Sequence, residues 1–458
     1  MTVPEPERVV WPLNGAEAPV TPGAPAVVGV ADLRATNAAA VLAVVRSADP
    51  HPRLSELVKA TSLSRPTVEA IAEELVECGL IEVAPALSAR GQRSPGRPAR
   101  RFRFRPHAGF VVGVDVRPRS ITASLADLDG APVAVHRLTV RADISGRARA
   151  QAVVSAIRST MTRADVDTPR IWAATIGTPG LVDRSNTHVR QADNLPTWAD
   201  TDIVGILREA LRCPVAVEND ANLAALGEQW HGGRPTAAEG PRADALPADA
   251  SPADVASVGV PPADTSPATS AERKTGEMLF VLLGERLGAG VITGGRLLRG
   301  HHGAAGEIGF IRFPGPTASP DHPDSESAPG LRPLPDSVIT GAAAGDPEAV
   351  LVVEGYGRRL AAGLAPVLLA LDPALVVLGT GPFGTPETAP AAALMLNAAR
   401  DHAAHLLVDP PSWQLSTLGD DAVLIGAVRF ALSSVEVALH TRPTSLMARV
   451  RGGSAVPR

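Results

Sequence analysis

Cysteine is scarce in this chain of 458 residues, and the sequence shows no uninterrupted apolar run of membrane-spanning length. The only cysteines are Cys78 and Cys213, which fall where the sequence predicts a helix end and a loop. So few cysteines exclude a disulfide scaffold and favour a reducing compartment. Because no signal peptide is recognisable either, we expect a cytoplasmic protein with no membrane partner.

Acidic residues are absent between Glu82 and Asp115, although the whole chain has a net charge of −5. That net charge does not mark the entire protein as a nucleic-acid binder. The acid-free window, however, contains seven arginines: Arg90, Arg93, Arg97, Arg100, Arg101, Arg103 and Arg105. Local positive charge attracts a phosphate backbone, so this window is a candidate DNA contact.

The chain is too long for a single core, so two or three domains are expected. Residues 1–28 are rich in Pro and Ala without periodicity, which predicts a disordered tail. Two folded parts are predicted after it, at residues 29–107 and 108–440. Residues 232–275 consist mainly of Ala, Pro, Asp, Ser and Thr and are interpreted as a disordered insertion, whereas residues 441–458 are interpreted as a loose tail.

The first folded part has the pattern of a winged helix-turn-helix. Apolar residues recur at helical spacing in Asp32–Ala48 and around Leu57, and again after Ser64. Ser64 is a suitable cap for the third helix, and Gly79 is a suitable residue to end it. Two short strands that form the wing are predicted to follow: Leu80–Val83 and Phe102–Phe104.

This fold predicts that the N-terminal end of the third helix enters the major groove of duplex DNA. The side chains able to reach bases or phosphates there are Ser62, Ser64, Arg65 and Thr67. The alternative is a helical hairpin that packs a partner, but the basic wing favours DNA. In the wing, Arg97 can enter a narrow minor groove, or Arg93, Arg97 and Arg100 can contact phosphates only, from a flexible linker.

From Phe110 onward strands alternate with helices, which predicts an α/β domain. Strands are predicted at FVVGVDV, RIWAATIGTPG and CPVAVEND, and later within EMLFVLLGERLGAGVITGGRLLRG and at ALVVLGTG. Helices are predicted at Arg147–Arg163, Ile203–Leu211, Asp346–Ala370 and Ala422–Leu432.

Five segments of the chain resemble, in order, those of the ROK family of repressors and sugar kinases. They are GVDVRPRSITASLADLDG, TIGTPGLVD, VENDANLAALGE, LGAGVITGGRLLRGHHGAAGEIG and LVVLGTG. The resemblance extends from Leu33 onward, except for residues 232–275. It implies a winged helix-turn-helix followed by a two-lobed, actin-like sugar-kinase domain.

The resemblance also implies a sugar site, in a cleft between the lobes, that uses Asn194, Asn219, Asp220 and Glu307. Asp220 matches the catalytic base of the family's kinases, although it can instead simply cap the helix that follows it. Loop capping explains Asn194 nearly as well as sugar contact. The adjacent His301 and His302 are expected to be solvated.

The chain departs from the family's kinases at three places. Phe310 stands where those kinases have a histidine, and no cysteine follows Cys213, so neither a zinc site nor any other cofactor is predicted. Bulky residues and a proline replace the glycines of the first phosphate loop, at Arg117-Pro118-Arg119. In the second loop Glu285 would repel a triphosphate, although Arg117 or Arg286 could bind phosphate from the side.

These features predict a DNA-binding transcriptional regulator of carbohydrate genes, in the form of a repressor that is not an enzyme. It would sense a sugar and bind an operator as a homo-dimer or homo-tetramer, because two half-sites need two DNA-binding domains. One alternative is an ATP-dependent sugar kinase with an appended DNA-binding domain. Another is a DNA-binding regulator that senses nothing.

Overall fold

The computed structural model of this chain describes residues 30–84, 100–231, 276–284, 286–315, 328–441 and residue 443. The predicted tail 1–28 and insertion 232–275 lie outside the described residues, as do Arg93, Arg97 and Glu285. The described helices are α1 Val30–Ser47, α2 Leu54–Thr61, α3 Arg65–Glu77, α4 Gly146–Arg163, α5 Ile203–Leu211, α6 Asp220–His231, α7 Asp336–Ala343, α8 Pro347–Leu371, α9 Ala389–Leu406 and α10 Ala422–Thr441.

The strands fall into two large sheets and three short pairs within the described residues. They are β1 Ile81–Ala84, β2 Arg101–Phe104, β3 Phe110–Val116, β4 Ser120–Asp127, β5 Pro132–Thr139, β6 Ile171–Thr178, β7 Leu181–Val182, β8 Val189–Gln191, β9 Val215–Asn219, β10 Met278–Leu282, β11 Gly288–Thr293, β12 Arg296–Leu297, β13 Arg312–Phe313, β14 Ala328–Pro329, β15 Leu375–Leu378 and β16 Ser412–Leu415.

The first three helices and the β1–β2 pair form the predicted winged helix-turn-helix. Ser64 caps α3, because its hydroxyl oxygen accepts a hydrogen bond from the Thr67 N–H at 3.3 Å. Gly79 follows the end of α3 with a positive φ of 80°, which suits glycine. The wing strands pair antiparallel, with Ile81 opposite Phe104. The buried apolar side chains of the helices and of the two wing strands form one core. They are Leu42, Leu57, Val68, Ile71 and Leu75 from the helices and Ile81, Phe102 and Phe104 from the strands.

The rest of the described chain contains two five-stranded sheets with the same topology. In the first sheet the order is β5-β4-β3-β6-β9, and in the second it is β12-β11-β10-β15-β16. In each, the central strand has an antiparallel neighbour on one side and a parallel neighbour on the other. The predicted α/β architecture is confirmed.

Two compact units divide the described residues. The first contains the winged helix, the residues up to Leu223, His301–Gly303 and the residues from Leu424 onward. The second contains the remaining residues. The first sheet lies in the first unit and packs against α4 and α5, whereas the second sheet lies in the second unit with α8 and α9 in the same core cluster. The domain limits predicted from the sequence stay predictions.

Several elements differ from the sequence-based expectation. Helix α9 was not predicted, because its many alanines give no apolar periodicity. Strands β13 and β14 pair antiparallel, although the sequence predicts no strand at either segment. The last helix is longer than predicted, and the segment Gly419–Thr441 is apolar and long enough to cross a membrane by length and composition. Its most apolar window is 67% buried inside the fold, which is typical of a core helix of a globular protein.

Candidate functional site

The N-terminal end of α3 is exposed. Ser62, Ser64 and Arg65 are exposed, and Thr67 is half-buried. The hydroxyl groups of Ser64 and Thr67 lie 2.7 Å apart and hydrogen-bond to each other. Arg65 is the only cation of α3, whereas the remainder of the helix carries Glu69, Glu73, Glu74 and Glu77. The N-terminal end is therefore the part of α3 that a phosphate backbone would tolerate.

Three of the described arginines of the wing, Arg101, Arg103 and Arg105, lie close to acids. Arg103 Nε donates to Glu82 Oε1 at 2.8 Å, and Arg105 Nε lies 3.7 Å from Glu82 Oε2, so two arginines share one carboxylate. Arg101 lies 3.7 Å from Glu56. Arg100 is exposed, with its guanidinium carbon 5.8 Å from the centroid of the Phe102 ring. Among the described cations, Arg65 and Arg100 are consequently the best placed to meet DNA.

A buried carboxylate organises the end of β9. Glu218 is 2% exposed, and its Oε2 accepts from Asn186 Nδ2 at 2.9 Å. Its Oε1 accepts from Asn222 Nδ2 at 3.0 Å and from the Asn219 N–H at 2.9 Å. Three donors thus hold the carboxylate in place, and through it they fix the junction of β9 and α6. Sequence reasoning missed this network, although an acid at the end of an apolar strand was its one visible signal.

The two predicted sugar ligands at this junction have different surroundings. The Asn219 amide nitrogen donates to the Gly180 carbonyl at 3.0 Å, and its oxygen accepts from the Asn222 N–H at 3.1 Å. Asn219 therefore caps α6 and holds the turn at Gly180. Asp220 begins α6, and its Oδ1 accepts from the Ala221 N–H at 2.8 Å. Both side chains are half-buried, and the helix N-terminus favours an ionised carboxylate.

Glycine is required at Gly180, where φ is +102° and an added Cβ would lie 2.0 Å from the Gln191 carbonyl oxygen. That close approach brings the turn after β6 against the loop that leads to Asn194. Asn194 is half-buried, and no hydrogen bond to its side chain is formed by the described residues. Asn194, Asn219 and Asp220 all belong to the first unit.

Glu307 belongs to the second unit and is half-buried. It precedes a short 3-10 helix, Ile308–Phe310, without capping it through its side chain. Gly306, just before it, has a φ of +89°, and an added Cβ would lie 1.9 Å from the Ala289 carbonyl oxygen. This close approach fixes the backbone that carries Glu307. Phe310, the last residue of the 3-10 helix, is 60% exposed.

His301 and His302 are both exposed, as expected for solvated loop residues. Their ring centroids lie 4.5 Å apart in an edge-on arrangement. The His302 carbonyl oxygen accepts a hydrogen bond from Arg190 at 3.0 Å. This contact holds the backbone of the loop at His302.

The turn between β3 and β4 is closed by arginines. Arg117 Nε donates to Asp115 Oδ2 at 2.7 Å, and the carboxylate is only 5% exposed. Arg149, which is fully buried on α4, donates to the carbonyl oxygens of Arg117 and Pro118 at 3.0 and 3.1 Å. A second nitrogen of Arg149 donates to the Ala142 carbonyl at 3.1 Å. Sequence reasoning missed Arg149, because an arginine in an amphipathic helix is ordinarily exposed.

Comparison with known families assigns both parts of the chain. The profile of the IclR helix-turn-helix domain matches residues 35–85, and the profile of the ROK family matches residues 111–239 and 265–326. The glucokinase of Halalkalibacterium halodurans is 26% identical over 287 residues, which cover 55% of this chain and 73% of that protein. The xylose repressor of Bacillus spizizenii is 25% identical over 270 residues, which cover 58% of each protein. Only part of each relative's length is therefore matched.

A crystal structure of a ROK family transcriptional regulator, a homologue of the E. coli MLC protein, superimposes with a TM-score of 0.62 and 19% identity. The superposition covers 92% of this chain and 100% of that one. At this identity the likeness demonstrates the fold. This chain carries an IclR-type helix-turn-helix domain in front of a ROK family domain.

Proposed function

We propose that this protein is a sugar-responsive, DNA-binding repressor of carbohydrate genes. The observation that carries the proposal is the exposed N-terminal end of α3, with Arg65 as its only cation, in front of a ROK domain. Similarity to a xylose repressor and the fold of a ROK transcriptional regulator support it. The proposal includes a homo-dimer or homo-tetramer on a two-fold operator, located in the cytoplasm where the DNA is.

The DNA-binding part is tested by Arg65→Ala. Duplexes are first identified by a genomic footprint of the full-length protein, and binding is then measured at two salt concentrations. We expect the substitution to weaken operator binding about tenfold or more, since one good contact to DNA contributes roughly 1–3 kcal/mol. Arg400→Ala is the matched control, because Arg400 is an exposed arginine on α9 in the second unit. Equal loss in both variants would contradict a specific role for Arg65.

In the proposed sugar site, Asn194, Asp220 and Glu307 contact the hydroxyl groups of the sugar. Asn219 lies beside Asp220 and holds the Gly180 turn through its hydrogen bond to the Gly180 carbonyl. The role of Glu307 rests on the family resemblance. Titration calorimetry with D-glucose and with D-xylose tests this part. We expect Asp220→Ala to abolish heat release from the sugar that the unsubstituted protein binds. Silence from a wide panel of sugars would instead support a regulator that senses nothing.

The proposal also holds that the chain does not phosphorylate sugar. The supporting geometry is the turn at Arg117–Arg119, where Pro118 offers no N–H and Arg117 is paired with Asp115. Similarity to glucokinases favours the alternative, an ATP-dependent sugar kinase with an appended DNA-binding domain. Purified protein mixed with hexoses and labelled ATP decides between them. Phosphoryl transfer that disappears in Asp220→Asn would establish the kinase.

A further inference from the structure

One arginine joins the winged helix to the first sheet. Arg46, in the last turn of α1, donates from a terminal nitrogen to the Leu128 carbonyl at 3.3 Å and lies 3.9 Å from Asp129 Oδ1. Its guanidinium carbon also lies 4.8 Å from the centroid of the Phe104 ring in the wing strand β2. The side chain is 21% exposed, so the three contacts are partly shielded from water. Arg46 thus contacts the wing and the turn between β4 and β5 at the same time.

That turn, Asp127–Ala131, is rigid by its own hydrogen bonds. Asp127 Oδ1 accepts from the N–H groups of Asp129 at 3.0 Å and Ala131 at 2.9 Å. Asp127 Oδ2 lies 3.4 Å from His107 Nε2, and the Leu128 N–H donates to the Pro106 carbonyl at 3.1 Å. Because the turn is fixed to β4, a displacement of the strand moves the groups that hold Arg46.

The connection that follows the wing is anchored on the side of the sheet. An added Cβ at Gly109 would lie 2.3 Å from the Trp172 ring, so the backbone sits directly on that side chain. The guanidinium carbon of Arg170 lies 4.8 Å from the Phe110 ring centroid, and Arg170 also donates to the His107 carbonyl. We therefore expect the connection from His107 to Phe110 to move together with the sheet. Any rotation of the winged helix relative to the sheet would then occur on the wing side of this connection.

A cavity of about 540 Å³ on the wing side of this connection is lined by Arg46, Phe104, Arg105, His107 and Asp129, among others. An open junction lined by charged side chains lets one domain rotate on the other at lower cost than a close-packed apolar interface does. At the opposite end of the β3–β4 hairpin lies the Arg117–Asp115 pair. The register from Phe110–Asp127 to Val116–Ile121 is continuous, so the hairpin can transmit displacement as one body.

We propose that Arg46 and the Asp127–Ala131 turn form a joint that sets the orientation of the winged helix on the first sheet and conveys the ligand state of the sensor to it. The orientation role stands by itself, whereas the signalling role rests on the proposed function. Both sides of the joint belong to this chain.

The orientation role is tested in the full-length protein without DNA or sugar. Spin labels are placed at Ser55→Cys on α2 and Ser155→Cys on α4, which are both exposed, whereas the native cysteines are buried. We expect Arg46→Met to broaden the distance distribution between the labels or to add a second distance. Asp129→Asn removes the charge from the other side of the joint and should broaden it as well, which keeps the test decisive if Arg46→Met folds poorly.

Arg34→Met is the matched control on the same helix. Arg34 pairs with Glu74 at 2.7 Å inside the winged helix, away from the joint, so the distribution should stay narrow in this variant. Unchanged distributions in both Arg46→Met and Asp129→Asn would overturn the joint, as would equal broadening in the control.

The signalling role is tested by operator affinity with and without D-glucose or D-xylose. In the unsubstituted protein, the effective sugar changes the operator affinity by a measurable factor. In Arg46→Met, that factor should be smaller by about fivefold. Arg34→Met should leave it unchanged. An unaltered factor in Arg46→Met would refute the signalling role. If no sugar changes the affinity of the unsubstituted protein, sugar sensing and the signalling role both fail, and the distance measurement still decides the orientation role.

Discussion

The two five-stranded sheets share one strand order but differ at the first hairpin turn. In the first sheet the turn after β3 is closed by Arg117 on Asp115 and by Arg149 beneath its carbonyl groups. In the second sheet the corresponding turn after β10 has an exposed glycine, Gly284, and an exposed arginine, Arg286. The same topology therefore carries different side chains at the corresponding turns, with two arginines bound to the turn after β3 in the first unit, which shows that strand order does not preserve turn chemistry.

A second contrast concerns two buried glutamates, ten positions apart in the chain. Glu218 in the first unit has three hydrogen-bond donors, whereas Glu228 in the second unit accepts from Ser416 Oγ at 2.7 Å and its Oε1 has no hydrogen-bond partner among the described residues. Burial accordingly raises the pKa of Glu228. Hydrogen-bond donors compensate the buried carboxylate of Glu218, whereas burial disfavours the charged form of Glu228.

The largest effect is expected from Glu218→Ala. Removal of the carboxylate takes away the acceptor of the Asn222 amide and one of the two acceptors of the Asn186 amide, which keeps its bond to the Val217 carbonyl. Since both amides are buried, this loss should lower the free energy of unfolding by about 3 kcal/mol. Chemical denaturation monitored by circular dichroism measures this loss. Glu209→Ala, an exposed glutamate on α5, serves as the control and should change stability little. If Glu218→Ala lowers the free energy of unfolding only slightly, the proposed difference between the two glutamates is wrong.

A smaller effect is expected from Arg149→Met, which keeps the volume but removes three hydrogen bonds to backbone carbonyls. We expect about 2 kcal/mol of destabilisation and faster hydrogen exchange in the β3–β4 turn, because its carbonyl groups lose their buried donor. Denaturation and exchange mass spectrometry provide the measurement. Arg147→Met, on an exposed position of the same helix, should leave both unaltered. Unchanged exchange in Arg149→Met would show that Arg149 does not seal the turn.

The smallest effect, of opposite sign, is expected from Glu228→Gln. Since burial raises the pKa of Glu228 above its ordinary 4.5, the folded protein loses stability as pH rises from 4.5 through the folded pKa. The amide carries no charge, so the variant should be more stable by about 1 kcal/mol at neutral pH, and the difference should vanish in acid. Thermal melts across this range measure it. Equal stability at neutral pH would mean that the buried charge is compensated.

Local patterns predicted the winged helix well, because each helix there has an apolar face and a clear boundary. In the sequence, Ser64 and Gly79 indicate where α3 begins and ends, and the structure confirms both. Helix α9 escaped prediction since alanine contributes little apolar contrast between its faces. In the candidate site, Asn219 was correctly located at the end of a strand, but its hydrogen bond to the Gly180 carbonyl depends on a turn 39 positions earlier.

By itself, the sequence determined the winged helix, most of the later helices and strands except α9, β13 and β14, the basic wing and the family segments, because periodicity, capping and glycine placement act over a few neighbouring residues. Only the tertiary structure decided that Arg149 is buried, that Arg117 neutralises Asp115 and that Arg46 contacts both the wing and the β4–β5 turn. Burial and charge pairing depend on groups brought together from distant parts of the chain. Their identity is fixed by packing, and no local pattern records it.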